Sequence, residues 1–258
     1  MIYRFDGIDI STCSVLPARG DGGYAVSGIF DFPKRKGEIE RNWGDTVEPY
    51  LNEADMEFGE RVIGLKLVMT DEANWDAFRD AAVACRKLGT ELGDFDVLLA
   101  DEVSVERLGQ KMLKIDMKFR QNRVEFEVLT LTASGGTGIR VDDFHLARDF
   151  GISVTGVKSD RNIPKRIEVS TTSPYGITRY REKPSFTLEC MMNAPDLKEA
   201  GARMRQFHAL WRQPGTRVLH LADGTSRNVF VKDGFSVSIE GDGLLKFSLK
   251  LEEYDRYI

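Results

Sequence analysis

The stretch Gly64–Met69 (GLKLVM) alternates apolar and polar side chains, and it leads almost at once into a second patterned segment, Glu72–Leu88. Alternation with a period of two is typical of a half-buried β-strand. The second segment carries apolar residues at spacings of three and four: Trp75, Phe78, Ala82 and Cys85. That spacing places them on one face of an α-helix. The sequence therefore predicts a strand that passes directly into an amphipathic helix.

The same unit occurs a second time. Ser185–Met191 (SFTLECM) is again strand-like, and a helical stripe follows it: Leu197, Ala200, Met204, Phe207 and Trp211. Shorter matches keep the same order in both halves: Gly7–Ser11 with Gly151–Thr155, Pro33–Arg35 with Pro164–Arg166, and Val97–Asp101 with Leu219–Asp223. Five matches in one order favour an internal duplication. The alternative is a single large sandwich with recurring amphipathic strands.

Each half closes with further alternating segments: Met112–Phe119 and Val124–Leu131 in the first, and Val229–Ile239 and Leu245–Leu251 in the second. Short turns between such segments favour antiparallel pairing. We therefore predict an α+β fold, mainly β, made of two tandem antiparallel β-sandwich modules, each flanked by one α-helix. Glycines at 134–138 predict a hinge. The predicted ranges are 1–133 for the first module, 134–147 for a linker and connector, and 148–258 for the second module.

Composition excludes several classes of protein. The chain has 258 residues, 41% of them hydrophobic and 30% charged, and a formal net charge of −5 without a concentrated basic region. We expect no specific nucleic-acid recognition and no membrane insertion, because the apolar runs are short. The charged start, Met1–Gly7, does not have the pattern of a signal peptide, so we expect the protein to fold in the cytoplasm. Cys13, Cys85 and Cys190 are expected to be reduced packing residues.

The sequence carries no recognisable catalytic or metal-binding motif. The only histidines, His145, His208 and His220, have no partners at the spacing of a zinc site or a catalytic triad. The glycine-rich stretches 20–23 and 134–138 have no lysine of a phosphate-binding loop. We therefore predict a protein that is not an enzyme, with no catalytic, cofactor-binding or metal-binding residues and no small-molecule substrate.

A long polar segment, Asp31–Glu60, interrupts the first half and carries scattered large apolar side chains. Loops of this length in a compact module are usually functional or disordered, so we interpret the segment as a contact arm. The alternative is a mobile surface hairpin. The corresponding part of the second half is basic and contains tyrosines. The candidate partner-contact residues are Trp43, Tyr50, Met56, Phe58, Tyr175 and Tyr180.

This order of elements resembles the tube domain of bacteriophage distal-tail and tail-hub proteins. The residues that carry the resemblance are Gly37–Gly44 (GEIERNWG), Glu60–Leu67 (ERVIGLKL), the helix after it, and the strands within Val97–Ala133. In distal-tail proteins a similar glycine-led segment is followed by an arginine that opens the strand before the helix, as Arg61 does here. Distal-tail proteins usually carry a second domain of another kind. A repeated tube domain is more similar to tail hubs, in which three chains imitate a six-fold ring.

The resemblance implies a structural component of a phage or prophage tail, either a distal-tail or a baseplate-hub protein, which assembles around a central channel. The implied partners are further copies of the chain, in a trimeric or hexameric ring, and neighbouring tail proteins. The implied location is the virion tail, assembled in the cytoplasm of a bacterial host, and no cofactor is implied. The alternative is a carbohydrate- or partner-binding double β-sandwich, in which Trp43, Tyr50 and Tyr175 would hold the ligand.

Overall fold

The chain folds into two β-rich halves that follow one another in sequence. The computed structural model describes residues 1–20, 23–42, 47–101, 103–160, 166–168, 177–179 and 185–254. We call residues 4–121 module 1 and residues 140–253 module 2, and no described sheet contains strands from both. The fold is α+β and mainly β, with antiparallel sheets, as the sequence predicted.

Module 1 contains two larger sheets, a separate two-stranded sheet formed by its fifth and sixth strands, and one α-helix, α1 (Trp75–Ala84). Its strands are β1 Arg4–Phe5, β2 Ile8–Asp9, β3 Val15–Pro17, β4 Val26–Ser27, β5 Glu40–Asn42, β6 Val47–Pro49, β7 Arg61–Met69, β8 Lys87–Thr90, β9 Gly93–Asp96, β10 Leu98–Leu99, β11 Ser104–Arg107 and β12 Leu113–Gln121. The first sheet has the order β2-β1-β8-β9. The second has the order β10-β12-β7-β3, with β11 also pairing with β12 and β4 with β7.

Module 2 contains one continuous sheet and two helices, α2 (Leu146–Phe150) and α3 (Leu197–Arg212). Its strands are β13 Arg140–Val141, β14 Phe144–His145, β15 Ile152–Asp160, β16 Arg166–Glu168, β17 Ile177–Arg179, β18 Ser185–Asn193, β19 Arg217–His220, β20 Ser226–Phe230, β21 Val237–Gly241 and β22 Leu244–Glu253. The sheet has the order β14-β13-β19-β20-β22-β18-β15, with β21 also pairing with β22.

The two modules share one topology. An opening hairpin, β1–β2 or β13–β14, pairs with the strand that follows the long helix, β8 or β19. A small hairpin, β5–β6 or β16–β17, precedes the central strand, β7 or β18, and that strand pairs with the last strand of its module, β12 or β22. The outer neighbours also correspond: β3 and β4 match β15, and β11 matches β21. This shared order supports the interpretation of an internal duplication.

The predicted apolar faces form the core. Alternate residues of β7, β12, β18 and β22 are buried, and the buried residues of both modules belong to one contiguous cluster. All five apolar residues of the stripe predicted in the second helix are buried in α3. In the first helix Phe78 and Ala82 are buried and Trp75 is half-buried. The periodicities therefore identified the correct faces of both long helices.

The first helix is shorter than predicted. It ends at Ala84, and Leu88 lies in β8 instead. Cys85 is buried but has extended backbone angles, with φ −55° and ψ 127°. The next two backbone N–H groups, of Arg86 and Lys87, donate to the carboxylate of Asp6. These hydrogen bonds fasten the chain to the opening hairpin, so the helix cannot continue.

Three segments that were predicted from their sequence patterns have a different structure. Val124–Leu131 alternates like a strand but pairs with no strand, and we call residues 122–139 the strap, because they cross from module 1 to α3. The predicted connector, 134–147, overlaps β13 and β14; β13 pairs with both β14 and β19, so this hairpin belongs to the sheet of module 2. The predicted strand Val229–Ile239 is divided into β20 and β21. In each case a tertiary contact decides the pairing that an alternating pattern leaves open.

Candidate assembly surface

Of the six predicted contact residues, three fall within the described residues. Tyr50 is half-buried, and its backbone carbonyl accepts a hydrogen bond from Arg35. Met56 is half-buried at the end of a short 3₁₀-helix, Glu53–Asp55. Phe58 packs inside the molecule, with its ring centroid 5.4 Å from that of Phe32 and 4.9 Å from that of Phe126. The other three, Trp43, Tyr175 and Tyr180, lie outside the described residues. Contact with a partner stays a prediction for this set, and Phe58 has an internal packing role.

The predicted arm is a hairpin with a fixed base. The backbone N–H of Lys36 donates to the carbonyl of Glu57 (2.8 Å), and the N–H of Gly59 donates to the carbonyl of Lys34 (2.6 Å). Strands β5 and β6 extend the hairpin beyond this base. The segment is therefore a hairpin and not an irregular excursion.

The base of this hairpin contacts module 2. Lys232 forms a salt bridge with Glu40 (Nζ to Oε1, 3.1 Å). The backbone N–H of Gly215 donates to the carbonyl of Leu51 (2.8 Å). These contacts fasten the hairpin of module 1 to module 2.

The modules meet along two antiparallel segments, which bring β4 alongside β21. Phe32 and Phe235 exchange two backbone hydrogen bonds, of 2.9 and 3.1 Å. The Tyr24 hydroxyl donates to Asp242 (3.1 Å), and the N–H of Val237 donates to Asp31 (2.7 Å). Residues 24–32 therefore run opposite to residues 235–242. Module 1 contributes its β4 edge to this contact, and module 2 contributes its β21 edge.

Close approach of the backbones requires glycine at position 234. Gly234 has φ +70°, and a Cβ atom there would collide with the carbonyl oxygen of Phe32. An aromatic cluster then fills the contact: the Phe32 and Phe235 rings stack with their centroids 5.4 Å apart, and His208 of α3 lies 5.1 Å from Phe32. The contact between the modules is thus a packed core.

Burial controls the ionisation of the polar groups at this contact. His208 is fully enclosed, its Nδ1 side bonds the Phe30 backbone, and its Nε2 atom has no partner among the described residues. Burial, with Arg61 and Arg205 nearby, lowers the pKa of His208 from 6.5 to about 3. Burial also raises the pKa of Asp31, although the amide of Val237 opposes that change. His208 is therefore neutral at pH 7.

Strand register shows which edge positions correspond between the modules. Met69 of β7 and Met192 of β18 each face the first residue of the adjacent outer strand, β3 or β15. Leu65 lies four residues before Met69 and faces Val26. Leu188 lies four residues before Met192 and faces Val157. Val26 and Val157 therefore occupy equivalent positions.

The opposite edges correspond in the same way. Val105 of β11 faces Ile115, and Val237 of β21 faces Phe247. Met69 of β7 faces Leu113, and Met192 of β18 faces Leu245. Ile115 and Phe247 each lie two residues after these partners, so they are equivalent. Val105 and Val237 are therefore equivalent.

Equivalent valines differ sharply in exposure. Val26 and Val237 line a cleft of about 370 Å³ between β4 and β21, and they are 3% and 6% exposed. Val157 and Val105 lie on β15 and β11, each of which pairs with one strand among the described residues, and they are 46% and 41% exposed. One pair of equivalent positions is therefore buried between the modules, and the other pair is exposed. Sequence reasoning missed these positions, although the duplication would have pointed to them once the repeats were aligned correctly.

Two comparisons, with protein-family models and with curated proteins, give no relative. No protein-family model matches the chain, and no curated protein matches it significantly. Among the described residues, no helix combines the length and apolar character needed to cross a membrane. Nor does this part of the chain hold a group of three or more His, Cys, Asp or Glu side chains placed to bind a metal ion.

Proposed function

We propose that the protein is a ring-forming subunit of a phage or prophage tail, of the hub or distal-tail type, which assembles head to tail around a central channel. The observation that carries the proposal is the edge contact inside the chain, together with its two exposed equivalents. Val157 of one copy takes the place of Val26, and Val105 of the next copy takes the place of Val237. The intramolecular contact is then repeated between copies.

The contact joins unlike edges, so it is heterologous. A heterologous contact generates a closed ring if the rotation between units closes, and a filament if it does not. Two modules already related by this contact within one chain provide two of the ring positions. Three chains then supply six module positions, in agreement with the resemblance to tail hubs, and six chains supply twelve.

Exposed strand edges support the same proposal. Monomeric proteins protect their edges, because unpaired backbone groups are templates for further pairing. All four residues of β11 are exposed. Strand β15 is nine residues long, and within the described part of the chain it pairs with β18 alone. The dissimilar hairpins β5–β6 and β16–β17 would then distinguish the neighbouring tail proteins.

Cross-linking tests the proposed contact directly. In a Cys13→Ser background, Val105→Cys combined with Val157→Cys is treated with a flexible bis-maleimide. Cys85 and Cys190 are buried and are expected to stay unreactive. The expected product is a ladder of covalent oligomers that ends at the ring size, with the same mass in light scattering. A matched control combines Val157→Cys with Val83→Cys, which is exposed on α1 away from both edges, and should give no ladder.

Two outcomes would contradict the proposal. One is a strictly monomeric protein at high concentration whose double-cysteine variant gives no ladder. The other is a ladder of equal yield from the Val83 control, because that result would indicate unspecific encounters. Negative-stain microscopy of the cross-linked product should show rings with a central channel.

A further inference from the structure

A cleft of about 720 Å³ lies between module 1, the strap and α3. Phe95 of β9 lines one side, Arg123 and Phe126 of the strap line another, and Arg205 of α3 lines a third. Its volume falls within the range of small-molecule sites. The cleft is distinct from the edges that form the proposed ring contact.

Arg61, at the start of β7, forms part of the cleft wall and is only 8% exposed. Its Nε and one terminal nitrogen donate to the side-chain oxygen of Gln121 (3.0 and 2.6 Å), and the other terminal nitrogen donates to the carbonyl of Ile29 (2.8 Å). These bonds use three of the five N–H groups of a guanidinium. Two donors remain.

The charge of Arg61 is not neutralised by a direct ion pair. No carboxylate among the described residues forms a salt bridge with it, and both acceptors that it contacts are neutral. Asp31 is the acid that influences Arg61 electrostatically, but its carboxylate accepts hydrogen bonds from the amide of Val237 and the hydroxyl of Ser236. Burial lowers the pKa of Arg61 to about 10, which leaves the group charged at pH 7. A buried cation in this position favours an incoming anion.

The rim of the cleft carries charges of both signs. Arg123 has no ion pair among the described residues, whereas Arg205 is paired with Glu127 (Nε to Oε1, 2.6 Å). Further acids line the same rim: Asp94, Asp96 and Glu125. With so many acids at its rim, the cleft lacks the concentrated basic surface of a nucleic-acid groove.

The remaining lining is apolar. The Arg61 guanidinium carbon lies 5.4 Å from the centroid of the Phe95 ring. Leu92 and Phe126 extend this apolar surface. We propose that the cleft binds a small oxyanion, a carboxylate or a phosphate monoester, carried on an apolar or aromatic body, with Arg61 as the anchor of the anion. This site is additional to ring assembly and revises our expectation that the protein takes no small ligand.

Calorimetry with defined probes tests the site. Phenyl phosphate and 3-phenylpropionate carry both features, inorganic phosphate carries the anion alone, and benzyl alcohol carries the ring alone. We expect saturable binding of the first two, about tenfold weaker binding of inorganic phosphate, and none of benzyl alcohol. The difference between the two anionic probes identifies the preferred oxyanion. Binding should weaken as the salt concentration rises.

Variants locate the binding. Arg61→Gln should weaken binding of phenyl phosphate at least about tenfold, and Arg61→Lys should retain part of it, since the charge stays but the fork geometry is lost. Arg123→Gln leaves the core untouched and should weaken binding about threefold if Arg61→Gln does not fold. The matched control is Arg79→Gln, an exposed arginine on α1 outside the cleft, which should change nothing.

The proposal is overturned if neither anionic probe binds saturably to the wild-type protein. It is also overturned if Arg123→Gln and a folded Arg61→Gln both bind phenyl phosphate as tightly as the Arg79→Gln control. Ring formation is measured separately, so a failure here does not bear on the assembly contact.

Discussion

At the scale of single residues, one aspartate has the same role in each module. Asp6 and Asp142 both have left-handed backbone angles, with φ of 50° and 54°. Each lies in the turn of its opening hairpin, and its carboxylate accepts backbone N–H groups of the chain that follows the long helix, from Lys87 (2.8 Å) and Val218 (2.8 Å) respectively. The repeats are therefore aligned through these aspartates. Our match of Gly7 with Gly151 is wrong, because Gly151 ends α2.

Replacing Asp142 should destabilise module 2. Asp142→Ala leaves the N–H of Val218 without its acceptor and places alanine at a positive φ, which together should cost about 2 kcal/mol of unfolding free energy. Urea denaturation measures the loss. The matched control is Asp143→Ala in the same turn, whose side chain is 82% exposed and which should cost under about 0.5 kcal/mol. Equal losses for the two variants would show that the carboxylate contact is unimportant.

At the scale of elements, the two long helices differ in what covers them, and this difference accounts for the position of the strap. Helix α1 has 10 residues and α3 has 16, and α3 is covered on more than one side. It faces its own sheet through Phe207, which lies 5.8 Å from Phe247, and it faces module 1 at Gly201, where the Phe30 ring leaves no room for a larger residue. Gln206 fastens the strap to the same helix. The longer helix therefore holds the two modules together.

Removing the Gln206 side chain should release the strap. Its amide oxygen accepts from the N–H of Thr130 (2.8 Å), and its amide nitrogen donates to Glu127 (3.1 Å) and to the carbonyl of Val128 (3.2 Å). A hydrogen bond contributes about 1 kcal/mol net to stability. Loss of these bonds should make local opening of the strap more frequent, so we expect Gln206→Ala to speed tryptic cleavage after Arg123 about tenfold.

Mass spectrometry of a limited digest gives the cleavage rate and the site. Gln110→Ala, in the exposed turn between β11 and β12, serves as the control and should leave the rate unchanged. An unchanged rate in Gln206→Ala would mean that the apolar side chains of the strap hold it without the amide contacts.

At the scale of the whole molecule, the modules have separate sheets but one core. The aromatic contact of Phe32 with Phe235 and His208 lies between them, so the modules should unfold together. The same contact aligns the β4 and β21 edges. A rigid join inside the chain would therefore fix the geometry of the proposed ring.

A fall in pH should destabilise the contact between the modules, because His208 is buried there in its neutral form. The pKa of His208 is about 3 in the folded protein and 6.5 in the reference state, so the unfolded chain takes up a proton first as pH falls below 6.5. The contribution of neutral His208 is complete above pH 6.5 and declines towards pH 3. Near pH 4.5 the decline amounts to roughly 2 to 3 kcal/mol, since one pKa unit corresponds to about 1.4 kcal/mol.

The measurement is urea unfolding of the wild-type protein and of His208→Gln between pH 7 and 4.5. Glutamine can still donate to the Phe30 carbonyl but does not titrate. Between pH 7 and 4.5 the unfolding free energy of His208→Gln should therefore fall less than that of the wild-type protein, by roughly 2 to 3 kcal/mol. His220→Gln, a strand residue bonded to Ser226, is the control and should follow the wild-type curve. Parallel curves for wild type and His208→Gln would refute the assignment.

The sequence by itself determined the buried faces of β7, β12 and α3 and the order of elements in each half, because burial of alternate or helically spaced side chains leaves a periodic record. It could not decide the partner of a strand-like segment. Val124–Leu131 has the alternation of a strand, yet it crosses to α3, since the same pattern arises wherever one side of an extended chain is covered.

Only the tertiary structure decided the features on which the two proposals rest. The burial of Val26 and the exposure of Val157 follow from which edge meets the other module, and the unpaired charge of Arg61 follows from its neighbours Gln121 and Ile29. These residues are distant in sequence, and their contacts depend on how the two modules pack. A sequence pattern indicates whether a side chain is buried, but it does not indicate which residues cover that side chain.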